Sequence, residues 1–161
     1  IRLHTEVTGS RPTGWYLGRT SVNSVRLAAA EGGFSWIADT YDDDLPYWLD
    51  HDGHGNPIPP QLVIPYTLDA NDMRFATAQG FNSGDQFFTY LKDAFDVLYA
   101  EGESGSPKMM SVGLHCRLVG RPGRTASLGP FIDYLQQKPR VWIARRIDIA
   151  RHWIANHKAL T

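Results

Sequence analysis

Imidazoles, carboxylates and guanidinium groups can move protons or hold polar substrates near neutral pH, and this sequence offers all three. His115 closes an apolar run over residues 109–115. With a reference pKa of about 6.5, an imidazole in that place suits general acid or base work, and it equally suits a hydrogen-bonded rim position. Cys116 stands beside it and suggests a thiol nucleophile. If both lie in one strand, however, successive side chains face opposite ways, so Cys116 reads as a small buried hydrophobe. His51 and His54 fall in a stretch rich in Gly, Asp and Pro with no third ligand assignable, His152 and His157 lie five apart, and His4 is isolated. No metal site and no cofactor are expected from these spacings. Gly120-Arg121-Pro122-Gly123 is not a dinucleotide fingerprint, and there is no Walker loop.

The elements that must position these groups alternate between strand and helix. Residues 1–8 read as the end of a helix stopped by Gly9, and residues 14–17 as a short strand. Ser21 or Asn23 can cap a helix running to about Glu31, with Gly32 and Gly33 as its stop. Residues 34–39 read as a buried strand, and Asp42-Asp43-Asp44 opens a long irregular loop whose Gly53, Gly55, Pro57, Pro59 and Pro60 are breakers. Residues 61–67 form the third expected strand. Ser83 and Gln86 stand in a capping-box relation, and Phe87, Phe88, Leu91, Phe95, Leu98 and Tyr99 then recur at helical spacing up to Gly102. Strands are expected at 109–115 and 141–144, a helix around 131–135, and a last helix over about 147–157. Such alternation predicts an α/β fold with a mainly parallel sheet.

In parallel α/β folds, sites gather beyond the carboxyl ends of the strands. Those positions here hold Gly18 and Arg19; Asp39, Tyr41, Asp43 and Asp44; Tyr66, Thr67, Asp69, Asn71 and Asp72; His115, Arg117, Arg121 and Arg124; and Arg145, Arg146 and Asp148. Polarity is ordinary for loops. The acids could accept hydrogen bonds from the N–H groups of an amide or ureide. The arginine-bearing stretch 117–124 could bind an anion or carbonyl oxygens, or be a surface turn.

Composition narrows the classes. The 161 residues suit one domain, 1–161, with 42% hydrophobic residues and five tryptophans to fill a core or line a pocket. Sixteen basic against seventeen acidic residues give a net charge of −1, which argues against a nucleic-acid partner. No apolar run approaches the roughly 18 residues of a membrane span. The single cysteine rules out an internal disulfide, and with no apolar leader at the start a cytoplasmic location is expected. The chain does not begin with Met, so trimming or a longer parent is also expected.

Four stretches carry a family resemblance: Arg11-Pro12-Thr13-Gly14-Trp15-Tyr16-Leu17-Gly18-Arg19-Thr20-Ser21-Val22-Asn23, Asp39-Thr40-Tyr41-Asp42-Asp43-Asp44-Leu45-Pro46-Tyr47-Trp48, Pro65-Tyr66-Thr67-Leu68-Asp69-Ala70-Asn71-Asp72-Met73-Arg74-Phe75 and Gly113-Leu114-His115-Cys116-Arg117-Leu118-Val119-Gly120-Arg121-Pro122-Gly123-Arg124. In this order they resemble the bacterial allantoinase branch of the polysaccharide-deacetylase (NodB-like) superfamily. The resemblance implies part of a distorted (β/α) barrel, its C-terminal half, and hydrolysis of allantoin to allantoate in purine breakdown. It implies that the superfamily's Asp base and Asp-His-His metal set belong to an N-terminal half whose motifs this sequence lacks. Gly14-Trp15-Tyr16-Leu17-Gly18-Arg19 departs from the deacetylase Arg-x-Pro pattern, which favours a small cyclic amide over a polysaccharide. The closing Leu-x-x-His motif is matched by the stretch ending at His115. Carried over, His115 is the expected catalytic histidine, and Trp15, Arg19, Asp39, Tyr41, Asp43, Tyr66, Asn71, Asp72 and Arg117 are candidates for the pocket wall. A homo-oligomer is the expected assembly, and a polysaccharide N-deacetylase or an inactive fragment that pairs with another segment are the rival readings.

Overall fold

A parallel pair of short strands joined by a helix begins the architecture. The computed structural model describes residues 1–159, which divide into two compact units: Ile1–Tyr66 with the segment from Ala144 onward, and Thr67–Ile143. This division falls within the expected single domain 1–161, whose last two residues lie outside the described ones.

In the first unit, helix α1 (Arg2–Thr8) ends at Gly9, which takes the left-handed conformation that a Cβ disfavours. Strand β1 (Gly14–Trp15), helix α2 (Ser24–Glu31) and strand β2 (Trp36–Ile37) form the parallel crossover, with Gly14 opposite Trp36 and Trp15 opposite Ile37. Gly14 is required by that pairing, because a Cβ there would lie 2.0 Å from the Trp36 ring. Asn23 stands at the start of α2 but makes no side-chain cap bond, whereas Gly32 ends the helix with φ 77° and its N–H on the Ala28 carbonyl, as the spacing predicts. Ala28, Ile37 and Val63 make the buried core, with Val25, Phe34, Tyr47 and Leu49 packed on it.

The expected irregular loop after residue 42 is instead a hairpin. Strands β3 (Tyr47–His51) and β4 (Pro57–Val63) pair antiparallel, and β4 pairs parallel with β2 at Ile37↔Val63, giving the order β1-β2-β4-β3. The prolines are tolerated because the β3–β4 ladder shifts register between Leu49 and His51, so that Pro59 and Pro60 fall in an irregular stretch between the Leu49↔Gln61 and His51↔Pro57 pairs, and because β2, two residues long, pairs with β4 only at Val63. The turn is built on Asp52, whose Oδ1 accepts from the His54 and Asn56 amides at 2.8 and 2.9 Å, with Gly55 at φ 79° closing the three-residue loop. Hydrogen bonding from the Asn56 amide, ahead of opposing burial, holds the Asp52 carboxyl below its ordinary range. Helix α6 (Arg146–Asn156) completes this unit, and the Trp48 indole donates to the His157 carbonyl at 2.6 Å just past its end.

The second unit is helical. A 3-10 turn (Asp72–Ala76) precedes α3 (Gly84–Glu103), α4 (Pro122–Thr125) and α5 (Leu128–Gln136). The apolar spacing of α3 buries Phe87 and Leu91 in a core with Ala70, Phe81, Val119 and Phe131. Phe75, Phe81 and Phe87 meet at 5.2–5.5 Å in tilted and edge-on geometry. The expected capping box does not form. Gln86 Oε1 accepts from the Asn82 amide, one residue before the cap, and Ser83 makes no side-chain cap bond. On the far side Asp96 accepts from Lys92 and from the Tyr134 hydroxyl of α5. Burial opposes its charge, yet those two donors outweigh it and the carboxyl stays below its ordinary range.

Two expected strands are not strands here. Residues 141–144 are irregular, and the run 109–115 makes a single parallel bridge, Gly113 to Asn71. An apolar run becomes a strand only where a neighbour supplies a ladder.

Candidate active site

The parallel bridge brings together two residues 43 apart in sequence. Asp72 N–H donates to the Gly113 carbonyl at 3.0 Å, and Gly113 N–H to the Ala70 carbonyl at 2.8 Å, which sets Asp72 beside His115. Asn71 caps the 3-10 turn by accepting from the Met73 amide at 2.8 Å, so Asp72 enters it as the first residue. The Asp72 side chain is fully buried. Its Oδ1 lies 2.6 Å from His115 Nδ1, and its Oδ2 accepts from the backbone N–H groups of His115 at 2.7 Å and Val119 at 3.0 Å. Three donors compensate the buried charge. An ionised carboxylate only accepts, so Nδ1 is the donor and the proton chemistry of the ring falls to Nε2. The imidazole is 31% exposed, open enough to meet a reacting group.

Beyond His115 the chain turns rather than continuing as a strand. Leu118 and Val119 N–H donate to the His115 carbonyl at 2.8 and 3.1 Å. Cys116 is exposed on this turn, which corrects the expectation of a buried hydrophobe: the opposite-face argument needed a strand, and residues 116–120 form turns. Arg117 is exposed, with Nη2 3.8 Å from Met73 Sδ. Arg124 lies over the Phe75 ring at 4.8 Å, and α4 occupies the end of the expected arginine loop.

The first unit holds a polar and aromatic cluster. Asp39 Oδ1 accepts from the Leu17 and Gly18 amides at 2.8 and 2.9 Å, with Gly18 at φ 73°. Tyr16 stacks on Tyr66 at 5.2 Å, and Tyr41 meets Tyr66 edge-on at 6.1 Å. Arg146 places its guanidinium 5.4 Å from the Tyr66 ring and 5.8 Å from Trp36, and donates to the Ile64 and Pro65 carbonyls at 2.8 and 3.3 Å. Burial, helped by the Tyr41 hydrogen bond, pushes the Tyr16 phenol up to about 12, and burial lowers Arg146 from its ordinary value. Trp15 packs on Phe34 at 5.6 Å, and Arg19 is exposed. Asp43 spends one oxygen on the Leu45 amide at 2.9 Å, a local turn.

Within the units, then, Asp39, Tyr41 and Tyr66 stand near one another in the first, and Asn71, Asp72, His115 and Arg117 in the second. Sequence reasoning put Asp72 among wall residues and missed its pairing with His115. It named Arg146 only as a loop residue and Tyr16 only inside a motif. Among the described residues no group of three or more His, Cys, Asp or Glu is arranged to hold a metal ion, so they do not by themselves fit the Asp-His-His set of the superfamily.

The chain has close likenesses to known proteins. It is 61% identical to PuuE allantoinase, with a TM-score of 0.92 over 99% of this chain and 52% of that one. It is 60% identical to a Pseudomonas aeruginosa PAO1 protein assigned by inference as a polysaccharide deacetylase, with a TM-score of 0.91 over 99% and 52%. A Schizosaccharomyces pombe protein, also assigned by inference as a polysaccharide deacetylase, is 44% identical over 159 residues, 93% of this chain and 50% of its own length. No protein-family model matches. The chain thus spans about half the length of these relatives. Over that span its sequence is similar to those of PuuE allantoinase and the two deacetylase-like relatives, and its mixed α/β fold matches part of a NodB-like deacetylase barrel.

Proposed function

We propose that this chain supplies part of the active site of a hydrolase that cleaves a C–N bond of a cyclic ureide, opening the hydantoin ring of allantoin to give allantoate. The Asp72–His115 pair, on a chain 61% identical to PuuE allantoinase, is the observation that supports this reading most. Asp72 orients the imidazole by accepting at Nδ1 and stabilises the imidazolium when it forms. The imidazolium Nε2–H protonates the leaving ring nitrogen, or donates to the oxyanion, as water adds to the ring carbonyl, the ring C–N bond breaks, and the proton shed by the water passes to solvent. Trp15, Arg19, Asp39, Tyr41, Tyr66 and Arg117 are proposed to contact substrate, whereas Asp43 and Asn71 already serve local turns. In this reading the complete protein is a cytoplasmic homo-oligomer of purine breakdown, and this chain by itself is inactive or pairs with a complementary segment. Sedimentation showing a compact, active monomer of the isolated chain would contradict that last point.

A polysaccharide N-deacetylase is the second reading, favoured by the assignments of two relatives. Offering the complete polypeptide allantoin and an N-acetylated chitooligosaccharide separates them. Allantoate is the expected product, and acetate release with allantoin left intact would overturn the first reading.

A further inference from the structure

The carboxylate that holds His115 is itself held by a turn whose shape depends on two residues outside the pair. Both oxygens of Asp72 are occupied, and two of its three donors are backbone amides of the turn, His115 and Val119. Their placement is set by the path of residues 115–120. At Gly120 the backbone comes so near the preceding turn that a Cβ would sit 2.2 Å from the Cys116 carbonyl oxygen. A contact that short with backbone forces the turn to open. On the other side, the peptide following Val119 is pinned through its carbonyl, which accepts from the Thr125 hydroxyl of α4, a hydroxyl that also lies 3.2 Å from the Arg121 carbonyl. The Val119 amide therefore faces Asp72 because the peptides around it are fixed by the missing side chain at 120 and by the hydroxyl at 125.

We propose that Gly120 and Thr125 are positioning residues for the Asp72–His115 pair: they hold the 115–120 turn so that two amides clamp one carboxylate oxygen and leave the other aimed at Nδ1. This rests on the reading of His115 as the acid–base group. Loss of the clamp lets the carboxylate rotate, which loosens the imidazole and its Nδ1–H tautomer; Arg117 rides on the same turn, whereas the other proposed substrate contacts, Trp15, Arg19, Asp39, Tyr41 and Tyr66, do not. A misplacement of about 1 Å at a reacting group can cost on the order of a hundredfold in rate.

The test uses the complete polypeptide labelled with 15N-histidine, comparing parent, Gly120→Ala, Thr125→Val, Thr125→Ser and His115→Ala. For Gly120→Ala the expected results are a kcat lower by about 10- to 100-fold and a shift of the His115 ring nitrogens away from the fixed Nδ1–H tautomer. Thr125→Val is expected to move the same readouts in the same direction. Thr125→Ser, which keeps the hydroxyl, restores them. The ring-nitrogen spectrum reads positioning without substrate, and Thr125→Val with its serine control decides the matter should Gly120→Ala fail to fold. Parental kcat and parental His115 spectra in Thr125→Val or in a folded Gly120→Ala protein would overturn the proposal. Undiminished turnover in His115→Ala would instead remove the functional reading, leaving the spectral result to decide the clamp alone.

Discussion

Two regions of this molecule withdraw charge from solvent, one wholly and one in part, and they do so by opposite means. In the second unit a carboxylate, Asp72, is surrounded by N–H donors from a turn and an imidazole. In the first unit a guanidinium, Arg146, is held by main-chain carbonyls and aromatic faces, with Tyr66 and Trp36 against it. A carboxylate is small and needs convergent donors, so its satisfaction depends on the local backbone path. A guanidinium is broad and weakly hydrated, and ring faces share the work with carbonyls. The first arrangement leaves a partly exposed imidazole poised for proton transfer. The second braces the end of β4; beside it the Tyr16 phenol stays protonated, its pKa pushed up to about 12 by burial and the Tyr41 hydrogen bond.

The contrast predicts unequal losses. Replacing Asp72 by Ala leaves its donors unmet, and the expected cost is about 2–4 kcal/mol, read as a drop in the urea midpoint. Arg146→Met keeps the packing against Tyr66 and Trp36 but strips two carbonyls of a donor, for which about 1–2 kcal/mol is expected. Equal losses in the two variants would erase the distinction drawn here.

Titration sharpens it further. The Tyr16 pKa is raised in the fold above the ordinary phenol value, so its contribution to stability is complete below about pH 10 and fades as pH climbs toward 12. Ultraviolet titration should show one phenol ionising near pH 12 that vanishes in Tyr16→Phe, and an unchanged curve in that variant would count against the cluster. The smallest effect belongs to the β3–β4 turn. Asp52 has its carboxyl held down by the Asn56 amide, so its contribution is present above about pH 4 and lost as pH falls through the folded value. Asp52→Asn, which keeps an acceptor oxygen, should flatten that acid limb when hairpin amide exchange is followed against pH, and a limb of unchanged depth would exclude Asp52 as its source.

What could be read from sequence was what local chemistry decides. The β1–α2–β2 crossover announces itself through Asn23, Gly32 and the short apolar runs, and α3 through the spacing of Phe87, Leu91 and Phe95. The β3–β4 hairpin was hidden because Pro57, Pro59 and Pro60 signal breakage, and only a register shift opposite them, together with the shortness of β2, lets the strand pass. Its Asp52-Gly53-His54-Gly55-Asn56 turn was the available signal, with an acid able to bind two amides and a glycine for the left-handed position. Runs 109–115 and 141–144 have strand composition without strand neighbours, and composition cannot supply a ladder. The candidate site was legible as residue types at chain turns. Its pairing was not, because a single parallel bridge between Asn71 and Gly113 joins Asp72 to His115 across 43 residues, and nothing local encodes that register.

The central claim is that the His115 imidazole, held by Asp72, carries the proton for ring opening. Allantoin turnover by the complete polypeptide with His115→Ala measures it most directly. The account predicts a kcat lower by about 100- to 10,000-fold with the fold intact, and turnover equal to the parent would contradict it.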